Sequence, residues 1–273
     1  MALVLRHLNC GTGCPVGGRL VNRSPARTVC HCLLIEADAG LVLVDTGLSA
    51  SDLASPLRNQ GPMALLLRAR NAPRDTAVEK VKSLGFALGD VRHLIPTHLD
   101  LDHAGGMSDF PGARVHVHRA EYEAAARPAS WRERHRYRPH QWRHGPRWEL
   151  YEPDGENWFG FQAVRPLLEE GDDILLIPLV GHTRGHCAVA VNTPTGWLLH
   201  AGDSYYDCRQ LAAKPQCSVG LAAFQWLAHE DRIAARNNLE RLRELNATHS
   251  ESVTIFSSHD PSEFESLSGQ AVV

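Results

Sequence analysis

One recurring pattern constrains this chain more than its composition does. Apolar runs of strand type end, again and again, on a His or an Asp. Leu41-Val42-Leu43-Val44 runs into Asp45-Thr46-Gly47, and His93-Leu94-Ile95-Pro96 runs into Thr97-His98. Trp197-Leu198-Leu199 leads to Gly202-Asp203, Val253-Thr254-Ile255-Phe256 to Ser257-Ser258-His259, and Ile174-Leu175-Leu176-Ile177 toward Gly181-His182. Short β-rich runs bounded by Gly, Pro, Asp or Ser read as buried strands. Loops leaving one edge of a sheet can bring the residues at their ends to a common point. Between the strands, residues 75–86 (Val78, Val81, Leu84) and 231–246 (Ile233, Leu239, Leu242, Leu245) carry apolar side chains at helical spacing. Mixed strands and helices predict an α/β or α+β fold in which helices cover sheets.

The densest segment is Thr97-His98-Leu99-Asp100-Leu101-Asp102-His103-Ala104-Gly105-Gly106. Its His and Asp residues stand too close together for a simple amphipathic strand or helix. Alternation with Leu99 and Leu101 starts His98, Asp100 and Asp102 on one side, and the turn at His103 and the glycines then redirects the chain. Such a loop can offer one set of ligands to one metal and another set to its neighbour. His and carboxylate are ordinary ligands of zinc, iron and manganese. His182, Asp203 and His259 enlarge the set. The glycines around His186 argue for a loop, so this residue reads as a buried, hydrogen-bonded histidine rather than a ligand. There is no Gly-x-Ser-x-Gly elbow, which excludes the usual serine-hydrolase arrangement.

Composition narrows the partners. A formal net charge of −3 gives no global field that attracts nucleic acid or an anionic membrane. The expectation is a small-molecule substrate, with no nucleic acid and no membrane. No apolar stretch reaches the roughly 18 residues of a spanning helix. Arg6 and His7 interrupt the opening apolar run too early for a signal-peptide core, so a cytoplasmic location is expected. Seven cysteines, an odd number, suit reduced thiols better than a disulfide framework. Residues 1–273 read as a single domain, with lid or insert segments at 49–74 and 119–166. The second is rich in Arg and His and holds Trp131, Trp142, Trp148 and Trp158. Basic, aromatic stretches also occur on single-strand nucleic-acid surfaces. The reading taken here is a helical insert anchored by its tryptophans, or a substrate lid.

The order Asp-Thr-Gly (from Asp45), His-x-Asp-x-Asp-His (from His98), Gly-His-Thr-x-Gly-His (from Gly181), Gly-Asp (Gly202-Asp203) and Ser-His-Asp (from Ser258) resembles the metallo-β-lactamase superfamily over nearly the whole chain. Within it the chain looks closest to glyoxalase II and N-acyl homoserine lactonase-like hydrolases. The resemblance implies a four-layer αββα sandwich and two divalent metal ions, zinc first, with iron or manganese as options. It places His98 and His182 on one metal, Asp102, His103 and His259 on the other, and Asp203 between them. It implies hydrolysis of a lactone, ester, thioester or amide by a metal-bridging hydroxide. Catalytic work then falls to Asp102, to Asp45 orienting a ligand His, and to Tyr206 hydrogen-bonding the developing oxyanion.

One position departs from the family: Asp100 stands where the pattern has His. A carboxylate there still qualifies as a ligand. It would cancel the remaining positive charge of a two-metal centre and make a harder site, more tolerant of iron or manganese. Two other classes fit the same residues: a mononuclear iron thiol or persulfide dioxygenase, and a non-catalytic metal-binding member that holds a ligand or partner.

Overall fold

The computed structural model describes residues 3–14, 18, 27–61, 64–65, 73–152, 154–162, 167 and 174–272. Two sheets dominate it. The first has the order β1 (Val4–Gly13), β2 (Thr28–Ala37), β3 (Gly40–Val44), β4 (Val91–Ile95), β5 (Arg114–His118), β6 (Arg147–Tyr151). The second is formed by β9 (Ile174–Pro178), β10 (Cys187–Thr193), β11 (Gly196–His200) and β12 (Val253–Phe256), in the order β12-β11-β10-β9. A short ladder, β7 (Asn157–Trp158) with β8 (Phe161–Gln162), stands apart.

Strand alternation sorts the apolar side chains into three cores, and the three cores define four layers. Leu33 and Ile35 of β2 and Val42 and Val44 of β3 point one way, where they meet Ile174, Leu176, Val189 and Val191 of the second sheet. This is the interface between the sheets. Cys32, Leu34, Leu41 and Leu43 point the other way, under Ala77 and Val81 of the helix Ala77–Ser83 and Ala124 and Ala125 of the helix Arg119–Ala126. On the far side, Leu175, Ile177, Ala188 and Ala190 pack against Leu242 and Leu245 of the helix Arg232–His249. The result is the αββα sandwich expected from the sequence. Each fully buried Leu, Ile or Val contributes about 1.5–3 kcal/mol. A one-residue register slip would exchange two cores at once.

Topology then builds the edge that carries the site. β3, β4, β5 and β6 pair in parallel, so Asp45 and Thr97-His98 leave β3 and β4 at the same edge of the sheet. In the second sheet β11 and β12 are parallel, and β9 runs parallel to β11 through two antiparallel pairings. His182, Asp203 and His259 therefore leave β9, β11 and β12 at one edge as well. Ligands of α/β sheets are bound outside such carboxyl ends.

The helices follow local signals. Asp231 accepts hydrogen bonds from the backbone of Ile233 and Ala234 and so caps the helix Arg232–His249. The hexapeptide holding His98 to His103 is not alternating throughout: a helical turn, Leu101–Ala104, carries Asp102 and His103. The segment 119–166 is only partly an insert. Its first helix and β6 belong to the sandwich itself, Trp142 and Trp148 pack against the outer core of the first sheet, and Trp158 is buried in that of the second, while Trp131 is exposed. In the segment 49–74, Asp52 meets the second segment through His140, with Nε2 3.2 Å from Oδ1. Residues 62–63, 66–72, 153 and 163–166 of these two segments lie outside the described residues. All seven cysteines are free.

Candidate metal centre

Seven side chains named from the sequence meet at this edge. His98, Asp100 and His182 form one group of mutually close ligand atoms, and Asp102, His103 and His259 form a second. Asp203 lies between them. Its Oδ1 is 3.1 Å from His259 Nε2 and 3.3 Å from His103 Nε2, and its Oδ2 is 3.5 Å from His182 Nε2. In the first group, Asp100 Oδ2 stands 3.4 Å from His98 Nε2 and 3.2 Å from His182 Nε2. In the second, Asp102 stands 3.8 Å from His103 and 3.6 Å from His259. Ligands on a tetrahedral ion at ~2.1 Å are separated by roughly 3.4 Å.

The rings are held from behind. His103 Nδ1 lies 2.8 Å from Asp45 Oδ2, His98 Nδ1 3.0 Å from Thr97 Oγ1, and His259 Nδ1 donates to the Val29 carbonyl at 2.7 Å. His182 Nδ1 lies 3.2 Å from His229 Nδ1. In all four rings Nδ1 is engaged by protein and Nε2 faces the centre. Asp45 is itself fixed: it accepts from the Thr97 amide at 2.7 Å and the Thr97 hydroxyl at 3.0 Å, and it adopts a left-handed φ of 56°. Asp is one of the few side chains that tolerate this conformation, at about 1–2 kcal/mol.

The residues fit a metal. His98 Nε2, His103 Nε2, Asp100 Oδ1 and Asp203 Oδ1 are buried and make no hydrogen bond. Orphaned buried polar atoms are costly, and four of them within these groups point to cations that satisfy them. The charges agree. Burial would raise the Asp203 carboxyl, but His259, His103 and His182 hold it well below the usual range. Burial would lower the His103 ring, but Asp203 and Asp45 hold it well above its ordinary value. A third acidic group, Asp207, Cys208 and Asp260, has local partners: Asp207 binds Arg209, and Asp260 caps the helix Pro261–Ser268.

The family model described as the metallo-beta-lactamase superfamily matches residues 26–248. The chain belongs to this superfamily. A protein of Mycobacterium tuberculosis named as a metallo-hydrolase is 41% identical over 257 residues, covering 94% of this chain and 80% of its own. An N-acyl homoserine lactonase of Bacillus cereus is 27% identical over 231 residues, covering 84% of this chain and 80% of its own. An N-acyl homoserine lactone hydrolase solved with N-hexanoyl-L-homoserine at its catalytic metal centre superposes with a TM-score of 0.71, at 22% identity, over 97% of this chain and 95% of that one. A dizinc quorum-quenching lactonase superposes with a TM-score of 0.61, at 16% identity, over 95% of this chain and 88% of that one. Its relatives are hydrolases, and this superfamily member is an enzyme of the same kind, a metallo-hydrolase.

In this metallo-hydrolase Tyr206 lies within the site. Its hydroxyl donates to Asp203 Oδ2 at 2.6 Å, and its ring stacks on His259 with centroids 5.3 Å apart. His186 is a structural histidine, as expected: Nδ1 donates to the Leu179 carbonyl and Nε2 accepts from the Asp203 amide. Two residues that sequence reasoning did not find complete the picture. Glu121, fully buried, accepts from the Leu99 amide at 2.9 Å, the Gly185 amide at 3.0 Å and the Tyr137 hydroxyl at 3.1 Å, so one carboxylate ties the His98 loop to the His182 loop. Arg136 donates from Nη1 to Asp100 Oδ2 at 2.6 Å and to His182 Nε2 at 3.0 Å. Burial and then Arg136 push His182 down to about 3, while Arg136 and His98 outweigh burial and hold Asp100 well below its usual range. The only sequence trace of Arg136 was the basic character of 119–166. Among the described residues no helix is long and apolar enough to cross a membrane.

Proposed function

We propose that this metallo-hydrolase holds two divalent ions, one on His98, Asp100 and His182 and the other on Asp102, His103 and His259, with Asp203 shared, and that it hydrolyses a lactone or ester of a small molecule. Zinc is the first choice of metal. The observation that carries the reading is the set of four rings held at Nδ1, with Nε2 of His103, His182 and His259 turned toward Asp203 and that of His98 toward Asp100. Divalent metal bound there supplies Lewis acidity and a water whose pKa falls toward neutrality.

The chain's own residues do the rest. Asp45 accepts from His103 Nδ1, which fixes the tautomer and direction of the ring and makes Nε2 a more basic ligand. Asp102, more exposed than the shared Asp203, stands at the solvent side. The Tyr206 hydroxyl is a donor at the centre, and turned from Asp203 toward substrate it meets a carbonyl oxygen as negative charge grows there. Phe224 stands edge-on to Tyr206 at 5.3 Å and extends the site as an apolar wall, suited to an acyl or aryl group. The lactonase relatives support a lactone as the first compound class.

The test is elemental mass spectrometry on the purified wild type and on His103→Ala, followed by lactone, ester, thioester and amide panels. About two metals per chain, falling in the variant, with turnover of a lactone or ester, is the expected result. A single iron with thiol-dependent oxygen uptake would replace this reading with a dioxygenase. No metal uptake on titration would leave a non-catalytic binding protein.

A further inference from the structure

Arg136 occupies the position that a metal on His98, Asp100 and His182 would need. Its Nη1 reaches Asp100 Oδ2 at 2.6 Å and His182 Nε2 at 3.0 Å. The lone pair on His182 Nε2 can accept a guanidinium proton or bind a metal, but not both. With Nε2 accepting, Nδ1 carries the ring proton and donates to His229 Nδ1. The guanidinium is thus a resident cation in one of the two seats.

The backbone that carries it is fixed. Arg136 ends the helix Trp131–Arg136, whose capping box pairs Ser130 with Glu133. Glu133 also binds Arg184 of the His182 loop, and Arg132 donates to the carbonyls of Leu227 and His229. Only the side chain is free to move, and it has a second carboxylate beside it. Glu230 Oε1 lies 3.7 Å from Arg136 Nε, beyond hydrogen-bond reach, and is a buried oxygen with no hydrogen bond. Arg136 also donates from Nη2 to the Ala228 carbonyl, two residues before Glu230.

We propose that Arg136 is an internal competitor for the first metal seat, a gate that swings from Asp100 to Glu230 when metal binds there. The proposal rests on the two-seat reading above and adds an order to it: the Asp102, His103 and His259 seat fills first, and the Asp100 seat fills at the cost of moving Arg136. It also explains the departure at Asp100. A neutral His in that position would give a guanidinium no opposite charge, whereas Asp100 and Arg136 form a charge-balanced couple.

The test is titration of the metal-free full-length protein with Zn(II) against a chromophoric chelator, which yields two stepwise constants. In the wild type the weaker step should lie at least about tenfold below the stronger, within the range that neighbours of metal ligands control. Arg136→Met should tighten the weaker step and narrow the gap. Glu230→Gln, which removes the charge Arg136 moves toward, should weaken that step and widen it. If Arg136→Met fails to fold because Asp100 is left uncompensated, the double variant Asp100→His with Arg136→Met removes both charges and should bind two metals with similar constants. A gap unchanged in the Arg136 variants, with both steps intact, would overturn this proposal alone. Absence of any Zn(II) binding would overturn it together with the two-seat reading.

Discussion

Gly202 lies flat against the His186 ring: a β-carbon at Gly202 would stand 2.4 Å from His186 Nε2. That nitrogen accepts the Asp203 amide at 2.9 Å, so the contact sets where Asp203 begins. Gly202 also has a φ of 56°. Gly202→Ala therefore carries a backbone cost of about 1–2 kcal/mol plus the clash. A melt should show a loss of several degrees, and metal content should fall as Asp203 is displaced. A variant with unchanged melting temperature and metal content would contradict this account.

Asp45→Asn keeps the size of the side chain and removes the charge behind His103. The fold should persist, because the Asn oxygen can still accept from Thr97. Metal affinity should drop by roughly 10–100-fold, read by chelator competition. Equal affinity would mean that Asp45 does not tune His103.

Glu121→Gln replaces one of two accepting carboxylate oxygens by a donor. Either the Leu99 or the Gly185 amide then loses its partner, at a cost of about 1–3 kcal/mol. Because Glu121 joins the His98 and His182 loops, Zn(II) binding at their shared seat should weaken more than at the seat of Asp102, His103 and His259. Equal weakening at both would point to general destabilisation instead.

Tyr206→Phe should lower kcat about tenfold or more on the best lactone or ester while leaving metal content intact. An unchanged kcat would assign Tyr206 to packing against His259.

His7 and His31 share a hydrogen bond, Nδ1 to Nε2, at 2.8 Å. Burial, and then His200, lower His7 from 6.5 to about 4, and burial also holds His31 well below its ordinary value. The folded state therefore binds fewer protons than the unfolded one below pH 6.5. The stability from the neutral pair is fully present above that value and is lost as pH falls through about 4. Urea unfolding of wild type across this range should show a decline that His7→Gln makes shallower. Parallel profiles would sink the assignment.

Much of the site was legible in the sequence because its signals are local. Strand-type runs that end on His or Asp name their own positions, and parallel pairing of β3 with β4 and of β11 with β12 carries those ends to one edge. Asp100 was equally visible, as a departure from a pattern. Its meaning was not, because its partner Arg136 lies 36 positions away in a segment that showed only basic and aromatic character. Glu121 and His229 were silent for the same reason: a single Glu or His without a motif around it carries no signal until packing brings it to a ligand loop.

The sequence by itself determined the layers and the candidate ligand residues. Alternation along β2 and β3 requires two opposite cores, and few side chains other than His and carboxylate bind these metals. Tertiary structure alone decided what stands behind and beside the ligands. Asp45 came to rest against His103, Glu121 between two loops, and Arg136 against Asp100 and His182. Those placements depend on helices docking across the sheet edge, where contacts are set by shape and charge between residues far apart in the chain.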